Sequence, residues 1–214
     1  MLDRLQAAGT RQSAFVADAA HELRSPLAAL RTTVEVVLAH PDAYAPAELA
    51  QDLHAEVLRL GRLVDDLLVL ARLGAVPARR TVLDLGALAR AVARGRAGVV
   101  VTGAGGGLGD EDGVRRVLGN LLDNAQRHAA SAVHVAVDDG QVQVDDDGPG
   151  VPEADRERVF ERFTRLDDAR GRDAGGSGLG LSIARETARE AGGDVVLGQA
   201  PRGGARVVLT LPRA

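Results

Sequence analysis

The amino-acid sequence predicts an α+β protein, in which an N-terminal helical hairpin precedes an α/β sandwich domain. Two observations carry this prediction. In the first third of the chain, apolar residues recur at steps of three and four, the period of helices that pack side by side. After residue 80 the pattern changes to short helical and strand-like segments separated by glycine-rich turns. The sequence therefore divides into residues 1–75 and residues 80–214.

Composition narrows the functional classes. The 214 residues carry 26 Lys or Arg against 30 Asp or Glu, so no basic field favours nucleic acid or an anionic membrane. Every one of those basic residues is arginine, and a side-chain cation that contacts phosphate must therefore be Arg. The absence of cysteine excludes disulfides and thiolate metal sites. No apolar run approaches ~18 residues, so we expect no membrane contact by this part of the protein.

The hairpin is expected to consist of helices at about residues 3–40 and 46–73. The second helix is expected to end near Gly74, which Pro77 follows. The apolar seams of the two helices are Leu23, Leu27, Leu30, Val34 and Val37, and then Leu49, Leu53, Val57, Leu60, Val64, Leu67 and Ala71. Because two helices alone bury little surface, we expect a homodimer through residues 1–75, with a four-helix bundle. The alternative is a hairpin that packs onto the rest of its own chain.

The second region is expected to alternate helices and strands. Helices are predicted at Leu85–Arg94, Asp112–His128 and Leu179–Ala191. Strands are predicted at Val99–Thr102, Val133–Val137, Gln141–Val144, Val195–Leu197 and Ala205–Leu211. The turns Asp139-Gly140 and Gly203-Gly204 favour two strand hairpins. Residues 152–178 are polar and glycine-rich, which predicts a long mobile loop with one helical turn.

The first motif with chemical potential is His21-Glu22-Leu23-Arg24-Ser25-Pro26. On a helix, Ser25 lies one turn beyond His21 and on the same face. Pro26 removes a backbone hydrogen bond and tends to bend the helix beside the histidine. A neutral imidazole can act as a nucleophile near pH 7, with a carboxylate such as Glu22 to orient it. The alternative is a surface histidine on an amphipathic helix.

The second motif, Asn120-Leu121-Leu122-Asp123-Asn124-Ala125-Gln126-Arg127-His128, lies within a predicted helix. Asn120 and Asn124 are four residues apart and share one face. Two carboxamides suit a hard cation such as Mg²⁺, which prefers oxygen ligands. Asparagine is a mediocre helix former, so its double occurrence calls for a reason. A solvated polar face is the alternative.

The third motif, Asp145-Asp146-Asp147-Gly148-Pro149-Gly150, follows a predicted strand directly. Gly148 and Gly150 allow the backbone to approach a flat ligand closely. A carboxylate at the floor of such a pocket can accept a hydrogen bond from an exocyclic amine such as that of adenine. An acidic turn or a calcium loop is the alternative, although the late Glu of a calcium loop is missing.

The fourth motif is the glycine-rich segment Gly175-Gly176-Ser177-Gly178-Leu179-Gly180, which opens a predicted helix. Backbone N–H groups at a helix start attract phosphate. The segment matches neither a Walker A loop nor a dinucleotide fingerprint, so by itself it is a weak signal.

In this order and at these separations, the four motifs resemble the H, N, G1 and G2 boxes of bacterial sensor histidine kinases. Phe160-Glu161-Arg162-Phe163 resembles the F box of that family, and residues 203–212 its last strand hairpin. The resemblance covers essentially the whole chain. It implies a dimerisation and histidine-phosphotransfer domain at residues 1–75 and a Bergerat-type ATP-binding domain at residues 80–214.

The resemblance implies that His21 is phosphorylated by ATP and that Glu22 orients it and takes up its proton. The phosphoryl group would pass to an aspartate of a response regulator receiver domain. Relatives with strong phosphatase activity often have Thr or Asn at the position of Ser25. Because a serine hydroxyl can also position water, we still expect regulator phosphatase activity. A sensor and a membrane anchor are expected upstream in the full-length protein.

The resemblance also implies an ATP and Mg²⁺ site in the second domain. Asn124 matches the main Mg²⁺ ligand and Asn120 its companion, while Asp146 begins the Asp-x-Gly-x-Gly pattern and matches the adenine-binding carboxylate. The other residues assigned to the nucleotide are Arg127, His128, Gly148, Gly150, Arg162, Gly176, Gly178, Leu179, Gly180 and Thr210. Arg127 stands where many relatives have lysine. It keeps the charge but can change the geometry.

Two alternatives from other functional classes stay open at this point. An ATPase of the related chaperone, topoisomerase or mismatch-repair kind would explain the nucleotide motifs but not His21 and Glu22. A catalytically silent dimeric scaffold would explain the helical seams but not the intact nucleotide motifs.

Overall fold

The structure, a computed structural model, describes residues 2–40, 45–73, 80–164, 166, 177–201 and 203–214, with side chains from residue 19 onward. The chain divides into two compact units, residues 1–68 and residues 69–214, which are described separately. None of the helices in the described ranges combines the length and the apolar composition that a membrane crossing requires.

The first unit is a helical hairpin. Helix α1 spans Leu2–Ala39, and helix α2 spans Pro46–Arg72 and enters the second unit with its last turn. Pro46 occupies the first helical position, where its missing N–H costs no hydrogen bond and its fixed φ suits the helix. These bounds confirm both helices that the apolar period predicts.

The apolar seams of the hairpin split into two rows that each repeat about every seven residues. One row is half-buried and consists of Leu23, Leu30, Val37, Leu49, Leu53, Leu60 and Leu67. The second row, here called the exposed row, consists of Leu27, Val34, Val57 and Val64, which are 55%, 42%, 57% and 42% exposed. A single hairpin therefore leaves four of its large apolar seam residues at the surface.

The second unit is the α/β domain. Its described strands are β1 Thr81–Asp84, β2 Val99–Gly103, β3 Gly106–Gly109, β4 Val133–Asp138, β5 Gln141–Asp146, β6 Asp194–Gln199 and β7 Ala205–Thr210. Its described helices are α3 Leu85–Ala93, α4 Glu111–His128 and α5 Gly180–Glu190. The side chains of Asp84 and Asp110 begin α3 and α4, because each accepts a backbone N–H of the first turn at 2.8 Å.

Five strands form the main sheet in the order β2-β4-β5-β7-β6, and β1 pairs with β3 in a separate antiparallel ribbon. The β2–β4 pair is parallel, and the other three pairs are antiparallel. Helix α4 lies between β2 and β4 in the chain and provides the crossover that a parallel pair needs.

The core lies between one face of this sheet and the three helices. Helices α4 and α5 pack against each other, and each of the three helices contacts at least one strand of the sheet. Val133, Val135 and Val137 of β4 point into the core and alternate with exposed residues. On β5 the inward positions are Val142, Val144 and Asp146, so an aspartate takes the last inward place of an otherwise apolar strand.

The predicted fold class and the two strand hairpins are confirmed. Strands β1 and β3 were missed, because Gly106–Gly109 carries almost no side chains and reads as a turn. In the described part of the predicted loop at residues 152–178, the structure has two short 3₁₀ turns, Glu153–Asp155 and Arg158–Phe160, where one turn was predicted. The predicted end of the second helix near Gly74, and Pro77 after it, lie outside the described residues.

Candidate functional site

His21 and Ser25 lie exposed on α1, one turn apart. Glu22 is half-buried, and Pro26, inside the helix, is buried. Within the described part of the chain, no hydrogen bond or ion pair engages the side chains of His21, Glu22 or Ser25. The histidine is therefore accessible to a reactant that approaches α1 from solvent.

Asp145 and Asp146, at the end of β5, point to opposite faces of the sheet because side chains alternate along a strand, and Asp147 follows the strand. Asp146 faces the core and is 5% exposed. Its Oδ1 atom accepts hydrogen bonds from the backbone N–H of Gly148 at 2.9 Å and of Ala205 at 3.0 Å. Its Oδ2 atom makes no hydrogen bond to another described residue. One carboxylate oxygen is thus fixed by the protein, and the other remains available to a ligand.

Asp145 lies on the opposite face of the sheet. Its two oxygens accept from Nε and Nη2 of Arg206 at 2.8 and 2.7 Å, a bidentate pair across the β5–β7 ladder. This pair also raises the pKa of Arg206. Asp145 therefore has a structural partner and faces away from the pocket.

Asp147 ties the loop after β5 to the segment that follows α4. Its carboxylate accepts from the backbone N–H groups of Ala130, Ser131 and Ala132 at 2.8, 2.9 and 3.2 Å, and from the Ser131 hydroxyl. The Ser131 hydroxyl and these N–H groups hold the pKa of Asp147 well below its usual range. Asp147 thus anchors the loop that presents Asp146.

Three glycines shape the backbone around Asp146, two because they allow close approach and one because of its φ angle. A Cβ atom at Gly148 would lie 2.2 Å from the carbonyl oxygen of His128, at the end of α4. A Cβ atom at Gly204 would lie 2.0 Å from the carbonyl oxygen of Asp146. Gly150 has φ +74°, a left-handed conformation that side chains rarely adopt. No other residue type fits at these positions without displacing the backbone.

Asn120 and Asn124 share one face of α4, but their surroundings differ. The Asn120 side-chain nitrogen donates to the carbonyl oxygen of Gly180 at 3.1 Å, which ties α4 to the first turn of α5. Asn124 is half-buried, and its amide bonds to no other described residue. Asn124 is therefore the freer oxygen donor for a metal ion, and the Asn120 oxygen stays available beside it. In the described residues, no cluster of three or more His, Asp or Glu residues could hold a metal ion.

Arg127 and His128 form the last turn of α4 and are both exposed. Although His128 lies at the surface, protein atoms around its ring still displace water and lower its pKa, and the charge of Arg127 lowers it further. The Asp146 carboxylate opposes this shift. His128 is therefore largely neutral at pH 7, and Arg127 is the cation of this helix end.

The start of α5 is held by its neighbours and has no side-chain cap. Leu179 is fully buried, so its side chain belongs to the core and only its backbone can face a ligand. The first N–H groups of a helix have no intrahelical acceptor and can bind phosphate. Gly178, at φ +71°, precedes this start. Gly176, also predicted for the site, lies outside the described residues.

Phe163 is held in an unusual conformation beside Gly178. Its φ is 60°, the only positive value for a non-glycine residue in the described chain. Its N–H donates to the carbonyl oxygen of Gly178 at 3.0 Å, and a Cβ atom at Gly178 would lie 2.9 Å from its Cα. Such a backbone costs about 1–3 kcal/mol and persists where the surroundings fix it.

Residues 157–163, here called the F segment, are joined to α5 by charged side chains. Nη2 of Arg162 donates to Oε1 and Oε2 of Glu186 at 2.9 and 3.1 Å. Nη1 of Arg185 donates to Oε2 of Glu157 at 2.7 Å, and its guanidinium lies 4.5 Å from the centre of the Phe160 ring. Arg162 therefore has a partner on α5.

Thr210 does not belong to this site, and its assignment was wrong. The β5–β7 register pairs Thr210 with Gln141 and Arg206 with Asp145, which places Thr210 at the far end of β5 from Asp146. At ~3.4 Å per residue, the separation along the strand is roughly 17 Å. The Thr210 hydroxyl instead donates to the backbone oxygen of Asp194 at 3.2 Å. The β7 residue that reaches Asp146 is Ala205, through its N–H.

Some site residues were missed in the sequence. The Ala205 N–H, the Asp147 anchor and Arg185 all act across long separations in the chain, and no local pattern marks them. The Gly203-Gly204 turn was read only as a hairpin signal. Gly204, the second glycine of this turn, is the sequence signal that could have indicated the close approach to Asp146.

Two known family profiles match the chain. Residues 11–76 match the His Kinase A (phospho-acceptor) domain, and residues 109–214 match the histidine kinase-, DNA gyrase B- and HSP90-like ATPase. The first match contains His21, Glu22 and Ser25, and the second contains Asn120, Asn124 and Asp146.

Several sensor kinases are similar over nearly the whole chain. The sensor protein CutS of Streptomyces coelicolor is 39% identical over 231 residues, which cover 99% of this chain and 55% of CutS. The signal transduction histidine-protein kinase/phosphatase MprB of Mycobacterium avium is 36% identical over 236 residues, 98% of this chain and 45% of MprB. The chain thus spans about half the length of the curated relatives that it matches.

A solved structure supports the same relationship. Full-length ShkA in complex with AMPPNP superposes with a TM-score of 0.60 at 28% identity, over 94% of this chain and 46% of that one. The first family match covers most of the first structural unit and runs a few residues past it, and the second match lies within the second unit. The chain belongs to the two-component sensor histidine kinase family, of which it carries the phosphoacceptor and ATP-binding regions.

Proposed function

We propose that the chain is the catalytic core of a sensor histidine kinase, which transfers the γ-phosphoryl group of ATP to His21 and then to an aspartate of a response regulator. The observation that carries this proposal is the Asp146 carboxylate. One of its oxygens is held by two backbone N–H groups, and the other is left for an amine in a glycine-lined pocket. Adenine offers such an amine.

The residues around Asp146 suit the rest of ATP. The uncapped start of α5 offers backbone N–H groups to the phosphates, and Arg127 supplies a cation. Asn124, with the free oxygen of Asn120, would hold Mg²⁺, which supplies charge neutralisation at the phosphates when it is bound. The fit rests on the chemistry of these amide oxygens and on the unengaged Asn124 side chain.

In the proposed reaction, an imidazole nitrogen of His21 forms a bond to the γ-phosphorus as the bond from phosphorus to the ADP oxygen breaks. The half-buried Glu22 orients the ring and accepts the proton that the imidazole loses. Transfer to a regulator exchanges the phosphorus–nitrogen bond for a bond to an aspartate oxygen.

The exposed row of the hairpin supports a homodimer through residues 1–75. Leu27, Val34, Val57 and Val64 lie at the surface of a single chain, in register with a seven-residue repeat. A second hairpin that covers this row would complete a four-helix bundle. Dimerisation also matches the phosphoacceptor class at residues 11–76.

The catalytic core is expected to work in the cytoplasm, as part of a longer protein with an upstream sensor and a membrane anchor. The incomplete coverage of CutS and MprB supports the longer protein. Since MprB is named a kinase/phosphatase, we extend the proposal to dephosphorylation of the regulator, with Ser25 as the residue that positions water.

Radiolabelled ATP tests the central proposal. The chain is incubated with γ-labelled ATP and Mg²⁺, and the protein is assayed for label that acid removes and alkali does not. His21→Ala should abolish the label and leave ATP affinity within about twofold, because His21 lies outside the nucleotide pocket. His54→Ala, which removes another exposed histidine of the hairpin, is the control and should retain the label. Free phosphate without protein label would instead favour the ATPase alternative.

The phosphatase proposal is tested with a cognate phosphorylated regulator. Ser25→Ala should slow dephosphorylation by about tenfold or more, the low end for a positioned water, and leave self-phosphorylation within a few-fold. A parallel loss of both activities would contradict a separate role for Ser25.

A further inference from the structure

The start of α5 and the F segment are fixed to each other by contacts that the proposed phosphate site does not itself use. Phe163, at the end of the F segment, donates its N–H to Gly178, just before α5 begins. Asn120 holds the next carbonyl inside the helix, that of Gly180. The N–H groups proposed for phosphate binding are therefore held from α4 on one side and from the F segment on the other.

Arg185, in the second turn of α5, holds the F segment. Its guanidinium stacks on Phe160, donates to Glu157 and donates through Nε to Oδ1 of Asp194 at 3.1 Å. Only 13% of the side chain is exposed, although it carries a full charge. A cation that is so far removed from water is stable where fixed partners surround it, and here two carboxylates and a ring surround it.

Arg189, one turn later on α5, is a surface arginine that also pairs with Asp194 and can be compared with Arg185. It makes this pair through Nε at 3.1 Å and Nη2 at 3.3 Å, but its side chain is 54% exposed. No contact of Arg189 with the F segment is present in the described residues. The attachment of Asp194 therefore does not require Arg185, and the contacts peculiar to Arg185 are those to Glu157 and Phe160.

The strained backbone of Phe163 lies four residues after Phe160 and next to the Arg162–Glu186 pair. A left-handed phenylalanine relaxes unless both sides are anchored. Arg185 and Glu186, adjacent on α5, provide those anchors through Phe160 and Arg162. The chain of contacts then returns through Phe163 to the beginning of the same helix.

We propose that Arg185 is a positioning residue for the phosphates of ATP: it holds the F segment on α5, and the F segment fixes the backbone at the start of α5. The proposal rests on the proposed ATP site and deepens it. In the described structure, no hydrogen bond, ion pair or ring contact joins Arg185 to residues 146–150, so the adenine end of the site does not depend on it.

The test compares ATP with AMP, which shares the adenine and lacks the β- and γ-phosphates. Both affinities are measured by calorimetry with Mg²⁺ on the full chain and its variants. Arg185→Ala should weaken ATP by about tenfold, as expected for misplaced binding groups, and leave AMP within about twofold. Arg185→Lys should also weaken ATP selectively, because an ammonium cannot stack and bridge two carboxylates. Arg189→Ala is the matched control and should leave both affinities within about twofold.

Glu157→Gln keeps the test decisive if Arg185→Ala does not fold. The Glu157 side chain is 79% exposed, so this change leaves the core intact and should shift ATP affinity in the same direction by a smaller factor. Equal weakening of ATP and AMP, or an unchanged ATP affinity in the folded variants, overturns the proposal. The ATP-to-AMP ratio does not depend on whether phosphate reaches His21, so failure of self-phosphorylation in the unaltered chain contradicts the kinase proposal alone.

Discussion

The helical hairpin and the α/β domain treat their apolar residues in opposite ways. Of the eleven large hydrophobic residues that are exposed in the described structure, eight belong to α1 and α2 (Leu27, Val34, Val36, Leu38, Val57, Leu58, Val64 and Leu68). The α/β domain contributes three, Val82, Val100 and Val196, and buries a continuous core that includes Leu85, Leu121 and Val144.

This difference indicates that the two regions are not equally complete as single chains. The α/β domain has a closed core, and backbone N–H groups of the same chain hold Asp146 in place, so the proposed adenine contact needs no second chain. The hairpin presents a periodic apolar face to solvent, which is costly unless another surface covers it. The proposed dimer therefore follows from the first region and not from the second.

The largest expected effect tests that difference directly. Val64→Glu would bury an uncompensated charge in the dimer interface and should cost several kcal/mol of association free energy, so that a dimer becomes a monomer in light scattering. Val196→Glu is the matched control, since Val196 is 45% exposed against 42% for Val64 but lies on the α/β domain. The control should stay dimeric.

A dimer that survives Val64→Glu, or an isolated 80–214 fragment that dimerises, would contradict this division. The sequence alone does not distinguish Leu60 and Leu67 from Val57 and Val64, because all four belong to the predicted seam. Leu60 and Leu67 are half-buried in one chain, so the exposed Val57 and Val64 are the sharper choices.

The next effect concerns the pocket of the complete domain. In Asp146→Asn, the N–H groups of Gly148 and Ala205 require the amide oxygen at the place of Oδ1. The NH₂ group must then occupy the place of Oδ2. Because this group and the adenine amine are both hydrogen-bond donors, the hydrogen bond between them is lost. ATP affinity should fall by on the order of 10- to 100-fold in a binding titration.

Asp145→Asn is the control for this change, because Asp145 faces the opposite side of the sheet and pairs with Arg206. It should leave ATP affinity within about twofold. If Asp145→Asn proves the more damaging variant, the assignment of Asp146 is wrong.

A smaller effect should appear in the pH dependence of stability. Asp147 has a lowered pKa in the folded chain, so its contribution to stability is fully present above its unfolded value of ~3.9 and is lost as the pH falls toward the folded value. Melting curves of the unaltered chain and of Asp147→Asn should therefore differ by a nearly constant amount above about pH 5 and converge as the pH falls below about 4 toward the folded pKa. A difference that does not shrink as the pH falls below about 4 would exclude the carboxylate charge as its cause.

The smallest effect concerns a defect inside the α/β domain. The Thr187 hydroxyl on α5 is buried and has no hydrogen-bond partner in the described residues. Thr187→Val has nearly the same shape and removes an unsatisfied polar group, so it should raise the free energy of unfolding by about 1 kcal/mol. Denaturant melts measure this change. A loss of stability would mean that the hydroxyl has a partner, such as a buried water.

The parts of the fold that could be predicted from the sequence are those with a local signal. The long apolar period gave α1 and α2, and alternating valines gave β4 and β5. Gly106–Gly109 has no such signal, and its strand forms only because β1 lies beside it.

The site divides in the same way. His21 and Asp146 could be found because their motifs are contiguous in the chain. Arg185 could not, because Glu157 and Phe160 reach it only when the F segment folds back onto α5. Thr210 was assigned wrongly, because the residues next to it in the sequence do not reveal how β7 pairs with β5.

The position of β7 in the sheet has a consequence for protein synthesis. The last strand to be made inserts between β5 and β6 and pairs with both. Until it has left the ribosome, β5 keeps an open edge of unpaired backbone groups, and β6 has no neighbour in the sheet. Open edges of this kind invite pairing with other chains. A nascent or truncated chain that ends before Ala205 is therefore a natural target for chaperones and proteases, even though most of its residues are already present.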